Sequence, residues 1–221
     1  MSGLFITLEG GEGSGKSSQI RQLKQYFETN HPQCELIITR EPGGTPEAEL
    51  IRNILVNGQV DKLTAQTEAL LMIAARAEHV AKIIRPALAR GAVILCDRFS
   101  DSSIVYQGLA QNIEKSKIDQ LHQFAIDDLK PHRTYLLDLP AEIGLERAQE
   151  RAASQSQNMA ENRFEDKGLS FHKRVRDGFL SLCTQEPERF LTIDATLSQE
   201  EVFSVIKADL APLLAQAGLS D

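Results

Sequence analysis

Gly10-Gly11-Glu12-Gly13-Ser14-Gly15-Lys16-Ser17 is the stretch that decides how this chain folds. It fits the pattern G-x-x-x-x-G-K-[ST], whose glycines let backbone N–H groups converge on an anion. Its surroundings matter as much. The apolar run Leu4-Phe5-Ile6-Thr7-Leu8 stands just before it and predicts a buried strand. Residues 17–29 follow with Ile20, Leu23 and Phe27 at helical spacing. Strand, glycine loop and helix in that order put an anion at a helix N-terminus, where the peptide dipoles favour it. Gly10, Gly11, Glu12, Gly13, Ser14, Gly15, Lys16, Ser17 and Ser18 are therefore expected to cradle a nucleoside triphosphate. In that role Lys16 reaches the β- and γ-phosphates and the Ser17 hydroxyl ligates Mg²⁺. A glycine-rich turn that binds nothing is the alternative, and the flanking strand and helix argue against it.

Outward from the loop, short apolar runs at 4–8, 35–39, 92–96, 134–138 and 190–193 alternate with helical patterns at 16–29, 46–56, 65–90, 115–129, 141–154, 168–186 and 198–215. Such alternation predicts an α/β fold of three layers, a five-stranded parallel sheet with helices on both faces. Pro86 near the end of the longest helix predicts a kink or an early stop. No linker divides residues 1–221, so a single domain is expected. Ser154-Gln155-Ser156-Gln157-Asn158 is polar, has no apolar anchor and reads as a mobile loop, the centre of a lid over about 147–167.

Composition bounds the function. With 221 residues, 42% of them hydrophobic and 25% charged, the chain can bury a large core. Its net charge of -7 argues against a general nucleic-acid or membrane-surface binder, although local basic residues can still hold a small anion. Cys34, Cys96 and Cys183 are odd in number, lack metal-ligand spacing and suit a reducing cytoplasm. Neither a signal peptide nor a membrane-spanning stretch is evident. The five histidines are scattered and read as structural or solvated.

Further candidates lie where strands end. Val93-Ile94-Leu95-Cys96-Asp97 is an apolar strand ending in an acid, the position from which an Asp helps hold Mg²⁺ opposite the loop hydroxyl, or else caps the next helix. Asp138 ends a similar run, but Arg98 follows Asp97 directly, and a cation there suits a site for two phosphate groups. Asp138 is expected to cap the next helix. Arg40, before Glu41-Pro42-Gly43-Gly44, would project over the carboxyl edge of the sheet, where ligands of open α/β folds bind; a plain turn with a solvated Arg is equally compatible. Arg76 among alanines has room for a ligand or could form a surface ion pair. Arg147, Arg151 and Arg163 bracket the polar loop and match a flap that closes over transferring phosphates, or simply a solvated charged helix.

Together these residues resemble thymidylate kinases of the bacterial type, over nearly the whole chain. The likeness rests on Glu9 through Ser17, on Thr39 through Thr45, on Asp97-Arg98-Phe99 with Asp101-Ser102-Ser103 and Tyr106-Gln107-Gly108, and on Asn162-Arg163-Phe164. The resemblance implies transfer of the ATP γ-phosphoryl group to dTMP with Mg²⁺, in a P-loop NTPase fold that forms a homodimer. By position it implies that Arg98 and Arg40 contact the acceptor phosphate, and that Arg76, Ser102, Ser103 and Gln107 surround the base. Arg52 is a further candidate beside the nucleotide, and Glu12 is expected to approach the deoxyribose hydroxyl. A carboxylate inside a phosphate cradle must in any case turn away from the triphosphate, toward that hydroxyl or toward bulk water. Met72 stands where relatives commonly stack a Phe on thymine. Gln149 stands where an arginine can occur, and no basic residue lies between Gly10 and Gly15, so Arg151 or Arg163 is expected to supply the catalytic cation. The rivals are a kinase of another deoxynucleotide or of a nucleoside, and a nucleotide-dependent switch. A GTPase switch would need an N-K-x-D guanine reader, which the sequence lacks.

Overall fold

The computed structural model describes residues 3–57, 62–127, 129–154 and 167–219. Five strands, β1 (Leu4–Glu9), β2 (Leu36–Arg40), β3 (Val93–Asp97), β4 (Arg133–Asp138) and β5 (Phe190–Asp194), form one sheet in the order β2-β3-β1-β4-β5. Every pairing is parallel. β1 is buried along its whole length, which is why it reads as a continuous apolar run rather than an alternating one. It lies at the centre, with β3 on one side and β4 on the other, so the glycine loop leaves the sheet at the reversal of strand order.

Helices cover both faces. On one face α1 (Lys16–Asn30) and α9 (Gln199–Gln216) bury Leu23, Phe27, Ile206 and Leu210 against Leu8 and Tyr135. On the other, Phe5, Ile94 and Phe99 pack with Val80, Ile84 and Ile126. Phe5 and Phe99 meet edge to face, with ring centroids 4.9 Å apart. α8 (Leu169–Gln185) closes a third cluster around Val105, Tyr106 and Leu136. No helix among the described residues is long and apolar enough to cross a membrane.

Capping distinguishes the helices. α2 (Pro46–Val56) begins with Thr45, whose hydroxyl accepts from Ala48 N, and α9 begins with a capping box of Ser198 and Glu201. α1 starts after Gly15 at φ 90° with no side-chain cap and no acid in its first turn. Its N-terminal dipole is left for an external anion.

The structure refines three expectations. Four strands reach their final charged residue, Glu9, Arg40, Asp97 and Asp194, because ladder hydrogen bonding continues whatever the side chain. The helix expected at 65–90 is α3 (Ala65–His79), a π-turn (Val80–Ile84) and α4 (Arg85–Ala89). The wide turn comes just before Pro86, which has no N–H to donate and whose ring needs room against the preceding turn. Residues 100–109, which show no helical pattern in the sequence, form the short helix α5 (Ser100–Ser103) and a second π-turn (Ile104–Leu109). The remaining helices are α6 (Lys115–Ile126) and α7 (Ala141–Ser154); the expected lid beyond Ser154 falls on 155–166, outside the described residues.

Candidate active site

The loop is built tightly. Gly13 has φ 66°, and a Cβ there would overlap the Gly144 carbonyl of α7, so only glycine lets the loop seat against that helix. The Lys16 ammonium folds back on its own loop, donating to Gly11 O at 2.9 Å, Gly10 O at 3.2 Å and Ser14 Oγ at 3.3 Å. Burial and the nearby Arg98 charge lower its pKa to about 8, against the pull of Asp97, Glu12 and Glu9. Ser18 sits in the first turn, its N–H bonded to Gly15 O.

One side of the loop collects oxygen ligands. Ser17 Oγ donates to Asp97 Oδ2 at 3.3 Å. Asp97 does not cap the following helix, whose cap position is Phe99. Arg40 lines the same hollow, with Nη2 3.1 Å from Glu49 Oε2. Among the described residues there is no cluster of three or more His, Cys, Asp or Glu that could hold a metal. Two hard oxygens therefore suit Mg²⁺ that arrives with a nucleotide, since this ion keeps waters and phosphate oxygens in most of its shell.

The other side opens into a cavity of about 140 Å³. Arg52, Arg76 and Arg98 line it with Glu12 and Met72, and Ser102, Ser103 and Gln107 complete its polar wall. Arg40 is not among its lining residues. The structure thus gathers eight of the nine residues expected around the acceptor in one place and puts the ninth, Arg40, in the hollow lined by Ser17 and Asp97.

Arg98 occupies the junction. Its φ of 68° is unusual for a non-glycine residue and costs on the order of 1–3 kcal/mol. The turn is held by Arg98 N donating to Leu8 O at 3.0 Å and Phe99 N donating to Glu9 Oε1 at 2.8 Å. Its guanidinium donates to Gly10 O at 2.9 Å, to Ser102 Oγ at 3.3 Å and to Glu12 Oε1 at 2.8 Å. It also lies over the Tyr106 ring, 5.0 Å from the centroid. Glu12 turns away from the phosphate cradle, as electrostatics requires, and also accepts from Tyr106 Oη at 3.1 Å. Burial alone would raise its pKa, but Arg98, Lys16 and the Tyr106 hydroxyl outweigh this and bring it to about 2.

Arg76 forms no surface pair; it is 2% exposed. Nε donates to Glu41 Oε2 at 2.6 Å, Nη1 to Ser103 Oγ and His122 Nε2 at 2.9 Å each, and Nη2 to Phe99 O at 2.9 Å. An arginine only donates, so His122 accepts at Nε2. Burial first, then the Arg76 charge, lowers the His122 pKa to about 3.

The expected lid arginines are only partly in view. Arg147 donates to Ala195 O at 2.9 Å, Arg151 is exposed in the last turn of α7, and Arg163 lies outside the described residues. Asp138 does not play its expected capping part. Its two oxygens take Arg176 Nε and Nη2 at 2.7 and 2.8 Å, because α8 brings that guanidinium over the end of β4.

Sequence reading missed the buried acids behind the site. Glu9 accepts from Phe99 N and Ser102 Oγ, Glu41 from Arg76 and His79, and Glu68 from Gln107 and Gln111. Glu9, an acid closing a largely apolar run, is the one of these that carries a local signal.

The family model for thymidylate kinase matches residues 8–206. A thymidylate kinase of Caulobacter vibrioides is 47% identical over 92% of this chain and 94% of its own length. One of Geotalea uraniireducens is 45% identical over 97% and 99%. The crystal structure of thymidylate kinase from Ehrlichia chaffeensis superposes with a TM-score of 0.76 at 32% identity, over 95% of this chain and 100% of that one. A family model over most of its length and relatives of this identity and coverage show that the chain belongs to the thymidylate kinase family.

Proposed function

We propose that residues 1–221 are a single kinase domain in which the glycine loop holds ATP, the adjoining cavity holds dTMP, and the products are dTDP and ADP. The observation that carries this reading is the seam between the two sites: Arg98, a cation of the cavity, donates to the carbonyl of Gly10 in the loop. A group held by Arg98 therefore lies next to the phosphate held by Lys16. In the transfer, an oxygen of the dTMP phosphate bonds to the γ-phosphorus as the bond from that phosphorus to the ADP oxygen breaks. The acceptor phosphate, with a second pKa of about 6, is already ionised at neutral pH, so the chain needs no strong base. Its work is positioning and charge stabilisation.

Lys16, Arg151 and Arg163 neutralise the triphosphate in this reading, and Arg98 holds the acceptor phosphate while Arg40 meets the phosphates from the Asp97 side. Ser17 and Asp97 would hold Mg²⁺, which would offset the charge of the phosphates. Glu12 takes the sugar hydroxyl, and Arg52, Met72, Arg76, Ser102, Ser103 and Gln107 enclose the nucleoside. Leu50 and Ile54 on α2, Leu70 on α3 and Phe124 on α6 are exposed on neighbouring helices, which supports a homodimer through that face. Three free thiols support a reducing, cytoplasmic setting.

The test is ADP release by a coupled assay with ATP, Mg²⁺ and, separately, dTMP, dUMP, dCMP, dGMP, dAMP and thymidine. The expected result is turnover dominated by dTMP. Efficient use of another acceptor with dTMP inert would overturn the substrate while leaving the phosphoryl-transfer site in place.

A further inference from the structure

Glu68, Met72 and Arg76 are spaced by four and lie along one stripe of α3. Met72 and Arg76 line the acceptor cavity, and Glu68 sits one turn behind them, fully buried, in the helix's first turn. The second π-turn brings Gln107 to the opposite side, where it lines the cavity as well. Gln107 Nε2 donates to Glu68 Oε1 at 2.8 Å, and Gln111 Nε2 donates to the same oxygen. A primary amide can face a ligand with either end, but a carboxylate only accepts, so Glu68 claims the NH₂ end of Gln107. The carbonyl oxygen Oε1 is the end left for the cavity. Arg76, with Nε on Glu41 and Nη1 on Ser103 and His122, can present only a donor there.

We propose that Glu68 is a positioning residue that fixes the polarity of the Gln107 amide, so that the cavity offers an acceptor beside the Arg76 donor and selects pyrimidines with a carbonyl next to a ring N–H. The inference rests on the reading above that this cavity holds the base. Thymine presents O4 and N3–H, which pair with the Arg76 donor and the Gln107 acceptor. Cytosine presents an amino group and a bare ring nitrogen, so both contacts are mismatched. A buried site made to hydrogen-bond one pattern rejects its inverse strongly, because its own polar groups are left unpaired.

Glu68→Met removes the acceptor at similar volume and frees the amide to turn. Its ratio of kcat/KM for dTMP over dCMP should fall by about tenfold or more. The change should lie in KM for dTMP, with KM for ATP unmoved. Glu68→Gln restores an acceptor oxygen at the same reach and should recover most of the ratio, which a purely space-filling role would not predict. An unchanged ratio in Glu68→Met, or equal losses on both nucleotides, overturns the inference. If Glu68→Met does not fold, neutron diffraction from deuterium-exchanged crystals of the wild-type dTMP complex decides. The Gln107 ND₂ group should face Glu68; finding it against the base refutes the proposal. N3-methyl-dTMP with wild-type enzyme separates the two readings. Its turnover at the dTMP rate would mean that the base edge is not read in this cavity at all. Its rejection, with an unchanged ratio in Glu68→Met, would overturn the Glu68 assignment alone.

Discussion

Arg98 Nη2 lies 2.8 Å from Glu12 Oε1, so the strained turn after β3 and the glycine loop are joined by an ion pair with both side chains mostly buried. Burial works against the Arg98 charge, but Tyr106, Glu12, Asp97 and Glu9 around it raise its pKa. The guanidinium is thus a permanent cation where the loop meets the cavity, and its fork also holds Gly10 O. An ammonium has no such fork. Arg98→Lys should lower kcat/KM for dTMP by about 100-fold, the loss of one or two charge-assisted hydrogen bonds, while KM for ATP stays within about threefold. Steady-state kinetics with each substrate varied in turn would show this, and an equal loss on ATP would mean that Arg98 serves the donor instead.

Glu9 supports that turn from below. Burial and the neighbouring Asp101 raise its pKa to about 7, against Arg98, the Ser102 hydroxyl and Phe99 N–H. The folded protein therefore binds more protons than the unfolded chain between pH 4.5 and about 7. The stabilisation from protonating Glu9 is full below pH 4.5 and is lost as pH rises through 7, on the order of 3 kcal/mol in all. Glu9→Gln mimics the protonated form and should flatten this slope in urea melts run from pH 4.5 to 7.5. A slope equal to wild type would locate the titrating group elsewhere.

How much of this was legible depended on what each residue signals locally. Lys16 and Ser17 stand in a pattern with a mechanism, and five apolar runs with helical spacing between them specify a parallel sheet, so loop, strands and sheet class could be read directly. The turn at 100–109 could not, because Ser100, Asp101, Ser102 and Ser103 are poor helix formers, and Ser102 and Ser103 are held by Glu9 and Arg76 from distant segments. Glu41, Glu68 and His122 act through buried partners 35 or more residues away, for which single-chain patterns carry no sign. Asp97 and Asp138 end similar strands and differ only in what faces them, Ser17 in one case and Arg176 in the other.

Met72 lines the cavity that we propose holds the base. A thioether contacts a ring through soft dispersion, and an offset-stacked aromatic pair adds about 0.5–1.5 kcal/mol beyond area burial. Met72→Phe should lower KM for dTMP by about two- to tenfold without changing kcat. A higher KM would show that the cavity has been shaped around the thioether and has no room for a ring.

Phe124 on α6 is 90% exposed, the largest apolar side chain left to solvent among the described residues. Phe124→Asp should shift the protein from dimer to monomer in light scattering coupled to size exclusion, and leave its circular dichroism unchanged. A wild-type monomer would remove the role given to that face.

Lys16 gives the clearest pH signature. Its pKa of about 8 means that the free enzyme loses the cradle's charge just above neutrality. kcat/KM for ATP should be level up to about pH 8 and then fall by about tenfold per pH unit, since this parameter reports the free enzyme. Lys16→Met should lower turnover by about 10²–10³, the usual loss when one preorganised donor is removed from a transition state. Its stability should move the other way. A lysine pKa lowered on folding means that the unfolded chain holds the proton better between pH 8 and 10.5, so the charged side chain destabilises the fold below pH 8, on the order of 3 kcal/mol. Lys16→Met should therefore be at least as stable as wild type at pH 7, and wild-type stability should gain on it as pH rises past 8. A folded variant that is both inactive and more stable would mark Lys16 as a charge kept for the phosphate. A less stable variant would mean that its bonds to Gly10, Gly11 and Ser14 hold the loop together, and that the loss of turnover is structural.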